Sequence, residues 1–119
     1  MRRITSTLAL AGLLALAPFG ASATTISECQ GLITTLSTTT EAAEFLGRNA
    51  AKDEAGLLGK LREASDKLDR AKTGDAAQKV DDYQRKLVEL VNAGKISQET
   101  FAALSAGAAG VQTCIAGIS

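Results

Sequence analysis

The chain has 119 residues, which is enough for one domain, and its 13 basic and 13 acidic side chains sum to a net charge of zero. This balance gives no electrostatic attraction of the kind that draws proteins to nucleic acid or to anionic membranes, so neither partner is expected. The chain has no histidine, so it lacks the commonest general base and metal ligand, which argues against an enzyme or a metalloprotein.

Residues 1–23 have the three parts of a secretory signal. A basic start is followed by an apolar run over residues 8–17, and residues 21–23 (Ala-Ser-Ala) place small side chains where a signal peptidase cuts. The run is shorter than a bilayer-spanning helix, so cleavage is favoured over a retained anchor. We therefore expect an exported protein, periplasmic or secreted, with a single domain over residues 24–119 that holds two more acidic than basic side chains.

Two cysteines, Cys29 and Cys114, lie in this domain. An exported chain meets an oxidising compartment, where an even number of cysteines indicates a disulfide bond. Lipid attachment to Cys29 is the alternative, but Glu28 stands where a lipobox requires a small residue. We therefore expect a bond between the two cysteines, which leaves no free thiol for catalysis or for zinc binding.

No proline follows Pro18, so no proline interrupts the helices of the predicted domain. The first helix is predicted from Ser27 to about Leu46. Ser27 followed by Gln30 fits a capping box. The Thr/Ser-rich stretch over residues 34–40 weakens the helix, because β-branched side chains lose rotamer freedom there. Residues 47–53 either break this helix or fray within a longer one. The predicted apolar line consists of Leu32, Leu36, Ala43 and Leu46, with Ile33 beside it.

Two amphipathic helices follow, over about residues 53–72 and 76–93. Their apolar residues recur at spacings of 4, 3, 4 and 3, which is one continuous helical stripe in each. Gly74 is predicted to end the second helix in a left-handed conformation, with Asp75 capping the third, and Gly94 is predicted to end the third. The two stripes are Leu57, Leu61, Ala64, Leu68 and Ala71, then Ala76, Val80, Tyr83, Leu87 and Leu90.

The fourth helix is predicted to start after Ser97, a good N-cap, with Ile96 and Phe101 at the two positions of a hydrophobic staple. No charged residue follows Glu99, so this helix is expected to be the most buried. A membrane tail anchor is the alternative, but the glycines and polar side chains of the segment make membrane residence poor. No stable membrane span is therefore expected after signal cleavage. Its apolar stripe is Phe101, Leu104, Ala108, Val111, Ile115 and Ile118.

These patterns predict an all-α fold, a small antiparallel bundle of about four helices with short connections. In such an up-down-up-down bundle, the start of the first helix and the end of the last lie at the same end. Cys29 and Cys114 occupy those two places. The bond would close a loop of about 86 residues and stabilise the domain by roughly 4–5 kcal/mol on chain-entropy grounds.

Few residues qualify as a functional site. The sequence has no glycine-rich phosphate loop, no C-x-x-C pair and no calcium loop, so we predict no catalytic residue, no cofactor and no metal site. Glu41 and Glu44 could share a face at i,i+3 and hold a weak cation, although a solvated face is the simpler interpretation. Tyr83 should pack in the core with its hydroxyl at the edge. Glu41, Glu44 and Tyr83 are the candidates for a binding face.

Three segments resemble FIMAH domains, which are small helical modules of secreted and cell-surface bacterial proteins. They are LLGKLREASDKL at residues 57–68, the short turn at Gly74, and LVELVNAGKIS at residues 87–97 followed by AAL at 102–104. The resemblance covers most of the predicted mature chain and rests on leucine, alanine and glycine spacings. It implies a helical domain of a type often attached to extracellular enzymes or adhesins, with no catalytic residues of its own.

The sequence thus predicts an exported, non-catalytic helical interaction module that binds an unknown protein or cell-surface partner. A periplasmic inhibitor or immunity-type protein that occludes an enzyme is the alternative, since small size, export, mild acidity and a disulfide bond all fit it. An enzyme would have to work with Asp, Glu, Lys, Ser or Tyr alone and ranks last. The alanines and glycines of the fourth helix could also form a homodimer seam.

Overall fold

The computed structural model describes residues 24–118, and these form a ring of four α-helices. Successive helices pack against each other, and the last returns to pack against the first. The predicted all-α antiparallel bundle is confirmed, whereas the predicted signal over residues 1–23 lies outside the described residues. The helices are α1 (Ile26–Ala42), α2 (Ala50–Asp69), α3 (Thr73–Asn92) and α4 (Gln98–Ala116).

One apolar stripe from each helix fills the space inside the ring. The stripes predicted for α2 and α3 are confirmed except at Ala71, which is exposed. In α1 the prediction is wrong for Leu32 and Leu46, which are 44% and 46% exposed. The α1 residues that face the core are instead Cys29, Ile33, Leu36 and Thr40.

Helix α1 starts and ends earlier than predicted. Its N-cap is Thr25, whose Oγ1 accepts a hydrogen bond from the Glu28 backbone at 3.1 Å, while Glu28 Oε1 accepts one from the Thr25 backbone at 2.8 Å. This is a complete capping box, two residues before the predicted one. The chain does break after α1, but at residues 43–49, where Gly47 has a φ of 95°.

The turn between α2 and α3 is built on Ala71 and not on Gly74. Ala71 has a φ of 59°, and Gly74 lies inside α3. The Lys72 N–H donates to the Lys67 carbonyl at 2.8 Å and the Ala71 N–H to the Leu68 carbonyl at 2.9 Å, which makes a Schellman motif. The predicted stop at Gly94 is confirmed, with a φ of 73°.

Helix α4 begins as predicted but is not the most buried helix. Ser97 Oγ accepts a hydrogen bond from the Thr100 backbone at 3.0 Å, which confirms the N-cap. Beyond that turn α4 buries a single stripe of Leu104, Ala108, Val111 and Ile115. No further element among residues 24–118 covers its opposite side, so the alanines there face solvent.

The predicted disulfide bond is confirmed. Cys29 and Cys114 are joined with a Cα–Cα distance of 5.6 Å, near the start of α1 and the end of α4. Beside the bond, Thr24 and Ile118 form an isolated backbone bridge. The two ends of the described chain are therefore held side by side at one end of the bundle, here called the disulfide end.

Candidate interaction surface

Charged residues are unequally divided between the helices. Residues 48–95, which contain α2 and α3, hold all eleven basic side chains of the described chain and nine acidic ones, a net charge of +2. The rest of the described chain carries no basic residue and a net charge of −4. The bundle thus has one densely charged side and one side that is nearly free of charge. The four acidic residues on the latter are Glu28, Glu41, Glu44 and Glu99.

The outer surface along which α1 and α4 pack together is the candidate site, and we call it the seam face. Open grooves lie at its two ends: Leu32, Gly110 and Thr113 line the groove at the disulfide end, and Ala42 and Ala103 line the other. All the residues of the seam face are exposed, and on each helix they follow a spacing of 3 and 4. They are Leu32, Thr35, Thr39 and Ala42 on α1, and Ala103, Ala106, Gly110 and Thr113 on α4.

Two of the three threonines of the seam face already use their hydroxyl protons within α1. Thr35 Oγ1 donates its proton to the Gly31 carbonyl at 3.2 Å, and Thr39 Oγ1 donates to the Thr35 carbonyl at 3.0 Å. Because these two hydroxyl protons are used within α1, each side chain offers a partner a methyl group and an oxygen that can only accept a hydrogen bond. The seam face is therefore a mostly apolar strip without formal charge.

The close approach of α1 and α4 beneath the seam face depends on Gly107. A Cβ atom at this position would lie 2.7 Å from Leu36 Cδ1, a distance that real Cβ atoms do not adopt. Leu36 is only 4% exposed and belongs to the core, so it has little room to move away. At Gly110, one turn further along α4, nothing lies within 4 Å of such a Cβ.

These two glycines give a matched test of the helix packing. We expect Gly110→Ala to raise the free energy of unfolding by about 0.5–1 kcal/mol, because alanine loses less backbone entropy in a helix. Gly107→Ala should instead lower it by about 1 kcal/mol, because the cost of overpacking against Leu36 exceeds the same gain. Urea denaturation of both variants measures the difference, and equal stabilisation by both would show that α1 and α4 pack less closely.

A carboxylate marks each end of the seam face. Glu28 lines the groove at the disulfide end, and Glu99 lines the groove at the opposite end, beside Ala42. Within residues 24–118 neither forms an ion pair. From the helical rise per residue, the 14 positions from Glu28 to Ala42 span about 20 Å.

Of the residues predicted for a binding face, the structure does not bring Tyr83 together with Glu41 and Glu44. Tyr83 is fully buried, so it is no part of an exposed surface. Glu41 and Glu44 are exposed, but α1 ends at Ala42, so they do not lie on successive turns of one helix. In the described part of the chain, no three acidic or cysteine residues gather as metal ligands.

Tyr83 instead belongs to a polar link across the core. Its hydroxyl lies 2.9 Å from Thr40 Oγ1, and Thr40 Oγ1 lies 2.7 Å from the Leu36 carbonyl. Thr40 gives its single proton to that carbonyl, so the tyrosine hydroxyl is the donor to Thr40. The link joins α1 to α3 diagonally across the ring, and each hydroxyl in it has a partner.

Burial raises the pKa of Tyr83 from 10.0 to about 12. Because the folded state disfavours the phenolate, this contribution to stability is complete below pH 10 and is lost as the pH rises from 10 to 12, by about 2–3 kcal/mol. Tyr83 is the only tyrosine and the chain has no tryptophan, so absorbance at 295 nm reports this group alone. We expect a midpoint near pH 12 in the folded protein and near pH 10 in urea. A folded-state midpoint near 10 would place the hydroxyl in water.

Asp53 is a buried charge that the sequence analysis missed. It is 7% exposed, with Lys86 Nζ 3.5 Å from Oδ1 and Lys95 Nζ 3.8 Å from Oδ2. The carboxylate thereby holds α2 against α3 and against the α3–α4 connection. Its position four residues before Leu57 continues the apolar stripe of α2, and that spacing was the available signal. This cluster lies away from the seam face and is structural.

Comparison of the chain with protein-family models, curated proteins and solved structures found no match. The resemblance to FIMAH domains therefore stays a prediction. None of the four described helices has the combination of length and hydrophobicity that a bilayer crossing requires.

Proposed function

We propose that the protein is an exported, non-catalytic helical interaction module that binds a protein or cell-surface partner through the seam face. The observation that carries this proposal is the uncharged strip of exposed, small and apolar side chains along α1 and α4. In the free protein the apolar groups of this strip are exposed to water. A partner bound along the strip would bury them as one continuous apolar area.

The opposite side of the bundle is less suited to apolar binding, because it is densely charged and several of its charges pair with each other. Lys79 Nζ lies 3.4 Å from Glu63 Oε1, which joins α2 to α3. Arg85 contacts both Asp81 and Asp82, at 3.1 and 2.7 Å. These exposed pairs contribute little to stability but keep the α2–α3 surface hydrated.

The small side chains of the seam face also favour macromolecular binding over small-molecule binding. Ala103, Ala106 and Gly110 project little, so the backbone of a partner helix can approach α4 closely. The grooves at the two ends of the seam face are open and shallow, unlike the enclosed pockets that bury a small ligand. The disulfide bond supports an exported protein, since such bonds persist in oxidising compartments.

The proposal is tested by placing a charge in the middle of the seam face. Ala106→Glu is the test variant, and Ala55→Glu is the matched control, because Ala55 is also an exposed alanine and lies in the interior of α2. The wild-type chain is used to capture its partner from periplasm or culture medium, and mass spectrometry measures the amount captured. With Ala106→Glu this amount should fall by about tenfold or more, since an unpaired charge is costly to bury in an interface. Ala55→Glu should capture it as wild type does.

Circular dichroism and urea denaturation of both variants confirm that each is folded. The proposal is wrong if Ala106→Glu captures the partner as well as the wild type does, or if both variants lose it equally.

A further inference from the structure

We infer that the partner presents an amphipathic helix whose small or apolar face is flanked at each end by a lysine or arginine. This inference rests on the proposed function and names the kind of partner that the seam face fits. Two features carry it, the charges at the ends of the seam face and the distance between them.

Both charged residues that line the grooves at the ends of the seam face, Glu28 and Glu99, are negative. Glu28 uses one carboxylate oxygen, Oε1, in the capping box with Thr25, which leaves the other oxygen free for a partner. Glu99 forms no ion pair within the described chain, and α1 and α4 contain no basic residue that could neutralise either carboxylate. A partner with basic groups at these two points would have complementary charge, which favours both its orientation and its rate of association.

The length of the seam face sets the spacing of those basic groups. Its ends are about 20 Å apart, which corresponds to about 14 residues of a helix. A helix laid along the seam would contact it at positions i, i+3, i+4 and i+7, which is the pattern of helix-in-groove recognition. The partner helix therefore needs four turns, with basic residues in its first and last turns.

The same charges argue against a second copy of this chain as the occupant. If two seam faces met in an antiparallel arrangement, Glu28 of one copy would face Glu99 of the other. In a parallel arrangement each carboxylate would face its own equivalent. Both arrangements place like charges together at both ends of the contact, with no basic residue of α1 or α4 to separate them.

The test uses two fluorescein-labelled helical peptides that share an alanine/leucine stripe. One has lysines 14 positions apart and the other has glutamates at the same places. Fluorescence anisotropy measures their binding to the full chain, expressed with its own residues 1–23 and with the Cys29–Cys114 bond intact. We expect the lysine peptide to bind at least roughly tenfold more tightly, with an affinity that falls as salt is added.

Protein variants then locate the charges. The double variant Glu28→Gln/Glu99→Gln should bind the lysine peptide roughly threefold to tenfold more weakly and with a smaller salt dependence. Glutamine at position 28 still completes the capping box, so α1 keeps its start. Glu89→Gln, an exposed carboxylate on α3, removes one charge away from the seam face and should bind as wild type does.

The outcomes separate this inference from the proposed function. If Ala106→Glu abolishes capture of the partner but the two peptides bind equally, the function stands and the basic flanks are wrong. The inference is also overturned if the lysine peptide does not bind, or if the double variant binds it unchanged. Sedimentation of a wild-type dimer that Ala106→Glu dissociates would place a second copy on the seam face and overturn it as well.

Discussion

Replacing both Cys29 and Cys114 with alanine is expected to lower the free energy of unfolding by about 4–5 kcal/mol. The two residues are 85 positions apart, so the bond closes a loop that includes nearly all of the described chain. Opening this loop lets the unfolded chain gain conformational entropy, and the gain grows with loop length. For a domain of ordinary stability, about 5–15 kcal/mol in total, the loss would be a large share.

Urea denaturation of the oxidised wild type and of the double alanine variant measures this effect. The wild type unfolded in the presence of a reductant is the control, because it loses the bond without losing any other atom of the side chains. Both reduced and substituted chains should unfold at similar, much lower urea concentrations. A loss below about 1 kcal/mol in both would show that the bond does not restrain the unfolded chain in this way.

Leu57→Ala is expected to lower the free energy of unfolding by about 2–5 kcal/mol. Leu57 is fully buried in the core stripe of α2, so truncation removes buried methyl groups and leaves a cavity that the helices cannot fully close. Thermal or urea denaturation of the oxidised variant gives the change directly.

Leu46→Ala is the matched control, because the same atoms are removed from a side chain that is 46% exposed in the α1–α2 connection. It should cost less than about 1 kcal/mol, since surface substitutions of this kind have small effects. If Leu46→Ala were as damaging as Leu57→Ala, residues 43–49 would have to pack more deeply than the structure shows.

Leu57 and Leu46 show where the helical spacing of apolar residues was sufficient to predict which side chains are buried and where it was not. In α2 and α3 the apolar residues fall on one stripe with charged residues on the other faces, so only one register buries them. In α1, Leu32 and Ile33 are adjacent and offer two registers. The register that forms buries Thr40, a polar residue whose hydrogen-bond partner Tyr83 lies 43 positions away in the sequence. No local sequence pattern predicts that hydrogen bond.

The helix ends show a second limit of sequence reasoning. Thr25 and Ser27 are both acceptable N-caps, and each has a suitable residue three positions later. In the structure Glu28 completes the box at Thr25, whereas the Gln30 side chain donates instead to the Ser65 carbonyl at 3.0 Å and to Asp69 Oδ1 at 2.7 Å on α2. At the α2–α3 turn, glycine at 74 suggested the left-handed position, but the buried stripes place the turn at Ala71.

The seam face itself could not be predicted from α4 alone. The absence of charge after Glu99 fits a helix surrounded on all sides, and it fits equally a helix with one buried stripe and an uncharged outer side. The number of neighbouring helices decides between them, and in a ring of four each helix has only two. The exposed alanines of α4 became recognisable as a surface only once α1 lay beside them.

Site-specific photo-cross-linking in the producing cells tests the central claim most directly. A photoreactive phenylalanine analogue is placed at Ala106 on the seam face and, in a second strain, at Glu89 on α3. We predict a covalent adduct to one protein partner from position 106 and none from position 89. An adduct from position 89 alone would place the binding surface on the charged side of the bundle and contradict this account.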